Sequence, residues 1–358
     1  MGAEITDCGN AFCVTPIRPA PTFCELPCGE SGSTLRFLLP VAGVLGLSAR
    51  FLLGGRLSDR PITPLLDALS AHGMRISREK DAILCAGRLT GGDFLLPGDL
   101  SSQFFSGLLL ALPLAAQDST LTAVSPPESR PYIDLTRSVL RSCGIRAEDA
   151  GDRFRIPGRQ RPRLPEAVAV PGDWTDAAVF LCGGAMSGSV TVTGLGDDPQ
   201  GSALLAILSD FGADVRVCGG AVTVSRRRLH GTEISAADIP DLVPPLAALA
   251  VSAEGDTVIT HAARLRFKES DRLDALCRLL TALGGSVTEL PDGLVIHGTG
   301  RVSGGVAPAV RDHRIAMAAA LLSLISDAPV TVREADCTDK SHPGFWEALS
   351  RLQKGECP

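Results

Sequence analysis

The ten residues RLRFKESDRL, Arg264 to Leu273, hold four cations and two carboxylates. Charge runs ordinarily form solvated faces. This one lies between a β-rich stretch and the apolar-periodic LDALCRLLTALGG, at the start of a helix, where backbone N–H groups and the helix dipole already favour anions. Arg264, Arg266 and Lys268 alternate, so an extended backbone would turn all three to one side. So much positive charge gathers at one point of a chain of net charge −6, with Glu269 and Asp271 left in its midst.

Other helix starts carry the same theme. CGESGSTLRFLLP runs a Gly/Ser turn into an apolar helix with Arg36 one turn in; its N–H groups can nest an anion, although capping explains Ser and Gly there equally well. SDRPITPLLDAL sets Arg60 before a helix, where a surface arginine is the default. GDLSSQFFSGLLLALPLAA opens with Ser101, Ser102 and Gln103, uncharged groups suited to hydroxyls and phosphate oxygens, one serine also fitting an N-cap. SRPYIDLT supplies Ser129 and Tyr132. ADIPDLVPPLAALAV puts Asp241 between prolines before an apolar helix, with capping as the competing account. VRDHRIAMAAALLSL carries Arg311, Asp312, His313 and Arg314, and CTDKSHPGFWEAL carries Lys340 in a loop before the last helix.

The elements that must position these groups repeat along the chain. GAEITDCGNAFCVT, GMRISREKDAILCA, GIRAEDAGDRFRIP, GADVRVCGGAVTVS and GGSVTELPDGLVIH each combine a glycine, a short alternating strand, a polar turn and a second β-rich run. Their glycines, Gly2, Gly73, Gly144, Gly212 and Gly284, are 71, 71, 68 and 72 residues apart. PLLDALSAHG, LTRSVLRSCG, ALLAILSDFG and ALCRLLTALG predict a helix ending at each glycine but the first. The unit is a helix, a glycine stop, a hairpin, then a strand and another helix. A boundary near VAVPGDWTDAA divides the chain into residues 1–170 and 171–358. Length 358 fits two domains, and 45% apolar residues supply their cores. Aromatics at 4% and the acidic balance argue against nucleic-acid and membrane-surface binding. Apolar runs such as FFSGLLLALPLAA are too short to span a bilayer, and no export signal opens the chain. Eleven scattered cysteines, with no C-x-x-C, predict reduced thiols rather than disulfides or a zinc site.

In order, GESGSTLR, DRPI, SSQF, SRPYID, IPD, FKESDRL, DHRIAM and CTDKSHP resemble the 5-enolpyruvylshikimate-3-phosphate synthase family through nearly the whole chain. The resemblance implies an α/β fold of two similar domains, an inside-out α/β barrel built from βαβαββ units, with helix N-termini aimed at the cleft between them. It implies transfer of the enolpyruvyl group of phosphoenolpyruvate to the 5-hydroxyl of shikimate 3-phosphate, with phosphate released and no metal or organic cofactor. Ser101, Ser102, Gln103, Ser129, Tyr132, Asp241 and Lys268 would then hold shikimate 3-phosphate. Gly32, Arg60, Gln103 and Lys340 would surround the phosphate of phosphoenolpyruvate, and Arg272 and Arg314 its carboxylate. Asp241 would accept the proton of the attacking hydroxyl, and Glu269 would protonate the enol methylene and later take a proton back. A carboxylate inside a cationic run is then explained: it exchanges a proton while its neighbours hold substrate charge.

Two departures accompany the resemblance. Arg264 stands where the family has an asparagine, and the family's N-terminal Lys-Ser-x-x-x-Arg motif is missing. With Gly2 opening a hairpin and GFWEALSRLQKGE ending without one, the expectation is a chain lacking an N-terminal segment and the closing hairpin of its last unit. An inactive fragment of such an enzyme is the alternative. A transferase acting on UDP-N-acetylglucosamine is the more distant one, since its loop cysteine and arginine loop differ from DHRIAM and CTDKSHP. A monomeric cytoplasmic enzyme with small-molecule substrates only is expected.

Overall fold

The computed structural model describes residues 1–9, 11–16, 21–308 and 310–355. Asn10, within the first repeat, and Cys357 lie outside them; the other ten cysteines are unpaired. Contacts divide the chain into two compact units, Met1–Val168 and Ala169–Pro358, each with its own apolar core.

The first unit opens on a hairpin of β1 (Glu4–Asp7) and β2 (Phe12–Thr15). There follow β3 (Phe23–Gly29), α1 (Gly32–Leu45), β4 (Ser48–Leu53), α2 (Thr63–Ala71), β5 (Met74–Arg78) and β6 (Ala82–Gly87). Then come β7 (Asp93–Leu96), α3 (Ser102–Ala111), β8 (Ser119–Ala123), α4 (Arg130–Ser142), β9 (Glu148–Asp149) and β10 (Arg153–Ile156). The two sheets have strand orders β3-β4-β6-β5 and β7-β8-β10-β9. In each the first two strands are parallel, which requires a helical crossover, and the last two form an antiparallel hairpin. Each is one βαβαββ unit.

The second unit repeats the plan with α5 (Trp174–Ser187), β11 (Ser189–Thr193), α6 (Pro199–Asp210), β12 (Asp214–Cys218) and β13 (Ala221–Ser225). It continues through β14 (Glu233–Ser235), α7 (Val243–Val251), β15 (Gly255–Thr260), α8 (Arg272–Ala282), β16 (Ser286–Leu290) and β17 (Gly293–Gly298). Last come β18 (Gly305–Ala307), α9 (His313–Leu322), β19 (Val330–Val332) and α10 (Phe345–Gln353). The sheet β14-β15-β17-β16 has the same order and directions as the two of the first unit. In β11-β13-β12 a parallel bridge of Gly172 with Leu195 stands where the first strand would run.

The repeat read from spacing is a repeated joint. All five repeat glycines have positive φ, 98° at Gly2 and Gly73, 75° at Gly144, 92° at Gly212 and 87° at Gly284, the region that carries a Cβ at a cost. The carbonyl before each of the last four, on His72, Cys143, Phe211 and Leu283, accepts an N–H from the segment leaving the hairpin. The donors are Thr90, Arg163, His230 and Ser303, at 2.9, 2.8, 3.0 and 2.8 Å.

Helices divide by sequence into two kinds. α3 and α7 are apolar almost all round, as only interior helices can be; every residue of α7 is buried. α1 packs on α3, and in the second unit α5, α7 and α9 pack on one another. α2 and α8 instead bury one face, with Leu65, Leu66 and Leu69 buried on the former. α1, α3, α7 and α9 begin at motifs singled out above, as do α4 and α8. No helix among the described residues is long and apolar enough to cross a membrane.

Candidate active site

In the first unit, Ser31 caps α1 by accepting from the N–H of Thr34 at 3.1 Å, so Gly32 is the first helical residue. Arg36, one turn on, is 3% exposed; its Nη1 donates to Oε1 of Gln103 at 2.8 Å and its Nη2 to the carbonyl of Pro61 at 2.9 Å. Arg60 is also buried, and a Cβ on Gly32 would stand 2.5 Å from Nη1 of Arg36 and 3.0 Å from Nη1 of Arg60. Any larger residue there would have to displace a guanidinium group at the helix start. Ser101 occupies the N-cap position of α3, yet its hydroxyl makes no capping bond. Its side chain is thus not spent on the role that the capping account assigns it. Ser129 begins α4 with φ 53°, buried, and Tyr132 lies in the first turn. Left-handed backbone at a non-glycine residue is unusual and concentrates at functional positions. Gly32, Arg60 and Gln103 are brought together around Arg36.

In the second unit the centre is Arg272, the first residue of α8 and 1% exposed. Its Nε donates to Oδ2 of Asp312 at 2.9 Å, Nη1 to Oδ1 of Asp241 at 2.8 Å, and Nη2 to Oε2 of Glu269 at 2.8 Å. Burial works against its charge, but Asp312, Glu269 and Asp241 outweigh burial and raise its pKa. Asp241 also receives Nζ of Lys268 at 3.4 Å and lies 3.6 Å from Nε of Arg314. It sits in the short 3₁₀ turn Pro240–Leu242 and caps neither that turn nor α7, so pairing with the cations is its observed role.

Asp312 caps α9, accepting from the N–H of Arg314 at 3.0 Å and from the hydroxyl of Ser270 at 2.9 Å. Burial raises its pKa, but Arg272 more than offsets that and holds it well below the usual carboxylate range. The neighbouring His313, 7% exposed, is depressed to about 4 by burial and by Arg314 and Arg272. Arg314 reaches Oγ1 of Thr175, on the first turn of α5, at 3.2 Å, and the carbonyl of Asp241 at 3.4 Å. Lys340 ends the 3₁₀ turn Ala335–Lys340, which packs on α9. The structure thus gathers Asp241, Lys268, Glu269, Arg272 and Arg314 around three helix starts, α7, α8 and α9.

One reading of the cationic run is corrected. Residues Ala263–Phe267 form a 3₁₀ turn rather than an extended segment, so Arg264, Arg266 and Lys268 do not share a side. Arg264 donates to the carbonyl of Ala237 at 2.6 Å. Arg266 turns to Glu289 at 2.7 Å and to Asp271 at 3.1 Å, tying the turn to β16. Asp271 is the N-cap of α8. Arg36 and Asp312, visible at their helix starts, and Thr175, which the sequence did not single out, carry structure around the site through partners distant in sequence.

A profile of the family described as EPSP synthase (3-phosphoshikimate 1-carboxyvinyltransferase) matches residues 1–349. The 3-phosphoshikimate 1-carboxyvinyltransferase of Clostridium kluyveri is 39% identical over 330 residues, 91% of this chain and 77% of that protein. That of Methanocorpusculum labreanum is 36% identical over 338 residues, 93% and 80% of the two. A solved EPSP synthase from Acinetobacter baumannii superposes with a TM-score of 0.79 at 28% identity, covering 98% of this chain and 84% of that one. Repeated βαβαββ units bearing charged helix starts define an α/β enzyme of the enolpyruvyl transferase fold. The chain belongs to the EPSP synthase family.

Proposed function

We propose that this chain transfers the enolpyruvyl group of phosphoenolpyruvate to the 5-hydroxyl of shikimate 3-phosphate, releasing phosphate, within the shikimate pathway of aromatic amino-acid synthesis. The observation that carries the reading is the sharing of one buried guanidinium, Arg272, by Asp241 and Glu269, with Lys268 donating to the same Oδ1 of Asp241. Two carboxylates held by a fixed cation are suited to separate proton transfers on one substrate pair.

In this reading Asp241 takes the proton of the 5-hydroxyl as its oxygen attacks C2 of phosphoenolpyruvate, and Glu269 delivers a proton to C3. The tetrahedral adduct then collapses: the C2–O bond to phosphate breaks, and Glu269 removes a proton from the new methyl group. Lys268, Ser101, Ser102, Gln103, Ser129 and Tyr132 bind shikimate 3-phosphate. Gly32, Arg60, Gln103 and Lys340 bind the phosphate of phosphoenolpyruvate, and Arg314 its carboxylate. Arg272, already engaged by three carboxylates, contributes through its remaining Nη1 hydrogen and through its charge. Neither metal nor organic cofactor enters these steps. We further propose a monomer acting in the cytoplasm, with no nucleic-acid or membrane partner. Phosphate release that needs both substrates, measured on the purified chain with Asp241→Ala as control, tests the reading; release that ignores shikimate 3-phosphate would reject it.

A further inference from the structure

Two residues beyond Lys340, the ring of His342 turns its Nδ1 to Oδ2 of Asp176, 3.3 Å away. Asp176 lies in the first turn of α5, next to Thr175, which receives Nη2 of Arg314. One helical turn therefore fastens both the loop that carries Lys340 and the guanidinium of Arg314. The imidazole joins Phe180 and Phe345 in a triad of rings, its centroid 5.6 and 5.8 Å from theirs and theirs 5.8 Å apart. The loop's own backbone bonds are local: His342 and Ser341 both donate to the carbonyl of Thr338, and Phe345 to that of His342.

The bland account of Asp176 is a first-turn carboxylate favoured by the helix dipole. Asp173 already fills that role as N-cap, accepting from the N–H of Thr175 at 2.7 Å. A second, half-buried carboxylate beside it is opposed: burial and Asp173 raise the pKa of Asp176, and His342 and Arg314 pull it back. The net effect stays upward, so the groups docked on it offset that opposition only in part.

We propose that Asp176 and His342 are a positioning pair that sets where Lys340 stands relative to Arg314, and thereby tunes affinity for a phosphorylated carboxylate without touching it. This rests on reading Lys340 and Arg314 as phosphoenolpyruvate ligands. The pair joins residues 166 apart in sequence, so its loss removes a tie between this loop and α5.

The experiment is steady-state kinetics with both substrates, alongside thermal unfolding. His342→Phe keeps an aromatic ring against Phe180 and Phe345 and removes the nitrogen; Asp176→Ala removes its partner; Asp176→Asn keeps an oxygen acceptor. His342→Phe and Asp176→Ala should each raise KM for phosphoenolpyruvate about five- to tenfold, the scale of one buried polar contact. The kcat and the KM for shikimate 3-phosphate should stay within about twofold of wild type, Asp176→Asn should recover most of the loss, and the double variant should be no worse than either single one. An unchanged KM for phosphoenolpyruvate in both variants overturns the pair's role, as does an equal loss for both substrates or a fall in kcat alone. Lys340→Ala separates the two readings. If it leaves that KM unchanged, the assignment of Lys340 fails; if it raises it while the pair variants do not, only the positioning role fails. A wild-type chain that neither binds nor turns over phosphoenolpyruvate removes both.

Discussion

Nε of Arg272 donates to Oδ2 of Asp312 at 2.9 Å, and Nη2 of the same guanidinium reaches Oδ1 at 3.3 Å. Both side chains are essentially out of solvent, 1% and 0% exposed. Removing Asp312 leaves the buried charge of Arg272 to Asp241 and Glu269 alone, with Nε losing its partner, and breaking a buried pair costs more than the pair itself contributes. Asp312→Ala should destabilise the second unit by about 3–5 kcal/mol, and it also removes the α9 cap and the partner of Ser270. Urea unfolding measures this. A loss below about 1 kcal/mol, the scale of an exposed pair, would mean that water reaches Arg272.

Glu269 is tied to the same guanidinium at 2.8 Å. Glu269→Gln keeps the shape and a hydrogen-bond acceptor but cannot exchange a proton. Turnover should fall by roughly two to four orders of magnitude, the range for a general acid–base group, with both KM values near wild type. A fall of less than about tenfold would remove Glu269 from the proton-transfer role.

Gly32 has no room for a methyl group beneath Arg36 and Arg60. Because Arg36 is held by Gln103 and the carbonyl of Pro61, it cannot move aside without breaking a buried bond. Gly32→Ala should raise KM for phosphoenolpyruvate on the order of tenfold, the loss of one charge-assisted contact. Alanine is the better helix former, which offsets part of the cost of a displaced Arg36, so affinity should fall more than stability. Parallel losses of both would point to general damage at the start of α1.

His313 gives the second unit a definite acid response. Its folded pKa, about 4, lies below the ordinary histidine value of 6.5. Between these values the unfolded chain binds a proton that the folded chain does not, so stability falls as pH drops from about 6.5 to about 4. The ceiling is about 3 kcal/mol, reached near pH 4. Asp312 adds its own loss only at still lower pH, because its carboxylate is held down in the folded state. His313→Gln should flatten the upper window and leave the lower one. Identical slopes for wild type and variant between pH 7 and 5, from urea unfolding, would contradict the assignment.

Much of the fold was legible because it is local. Glycine stops, apolar periodicity and alternating runs are set by neighbours a few residues away, and each located its helix end or hairpin. The pair Gly219 and Gly220, with φ 60° and 78°, is a hairpin turn that the sequence announces outright. Charge was harder to place. Arg266 looked like part of an anion site and is instead bound to Glu289 and Asp271, because a 3₁₀ turn replaces the extended backbone that alternation assumed. Arg36 meets Gln103 67 residues away and Arg314 meets Thr175 139 away; no local pattern encodes which distant turn a side chain will meet. Asp312 was visible as one more acid at a helix start, but its burial against Arg272 is a property of packing.

The joint at the repeat glycines separates closure from chemistry. A left-handed residue after the helix and a carbonyl that receives the departing segment together make a self-contained splice at Gly73, Gly144, Gly212 and Gly284. The residues that close a unit are thus the same in kind at each joint, while those that open the interior helices differ, serines and glutamine at α3 and an arginine–aspartate pair at α9.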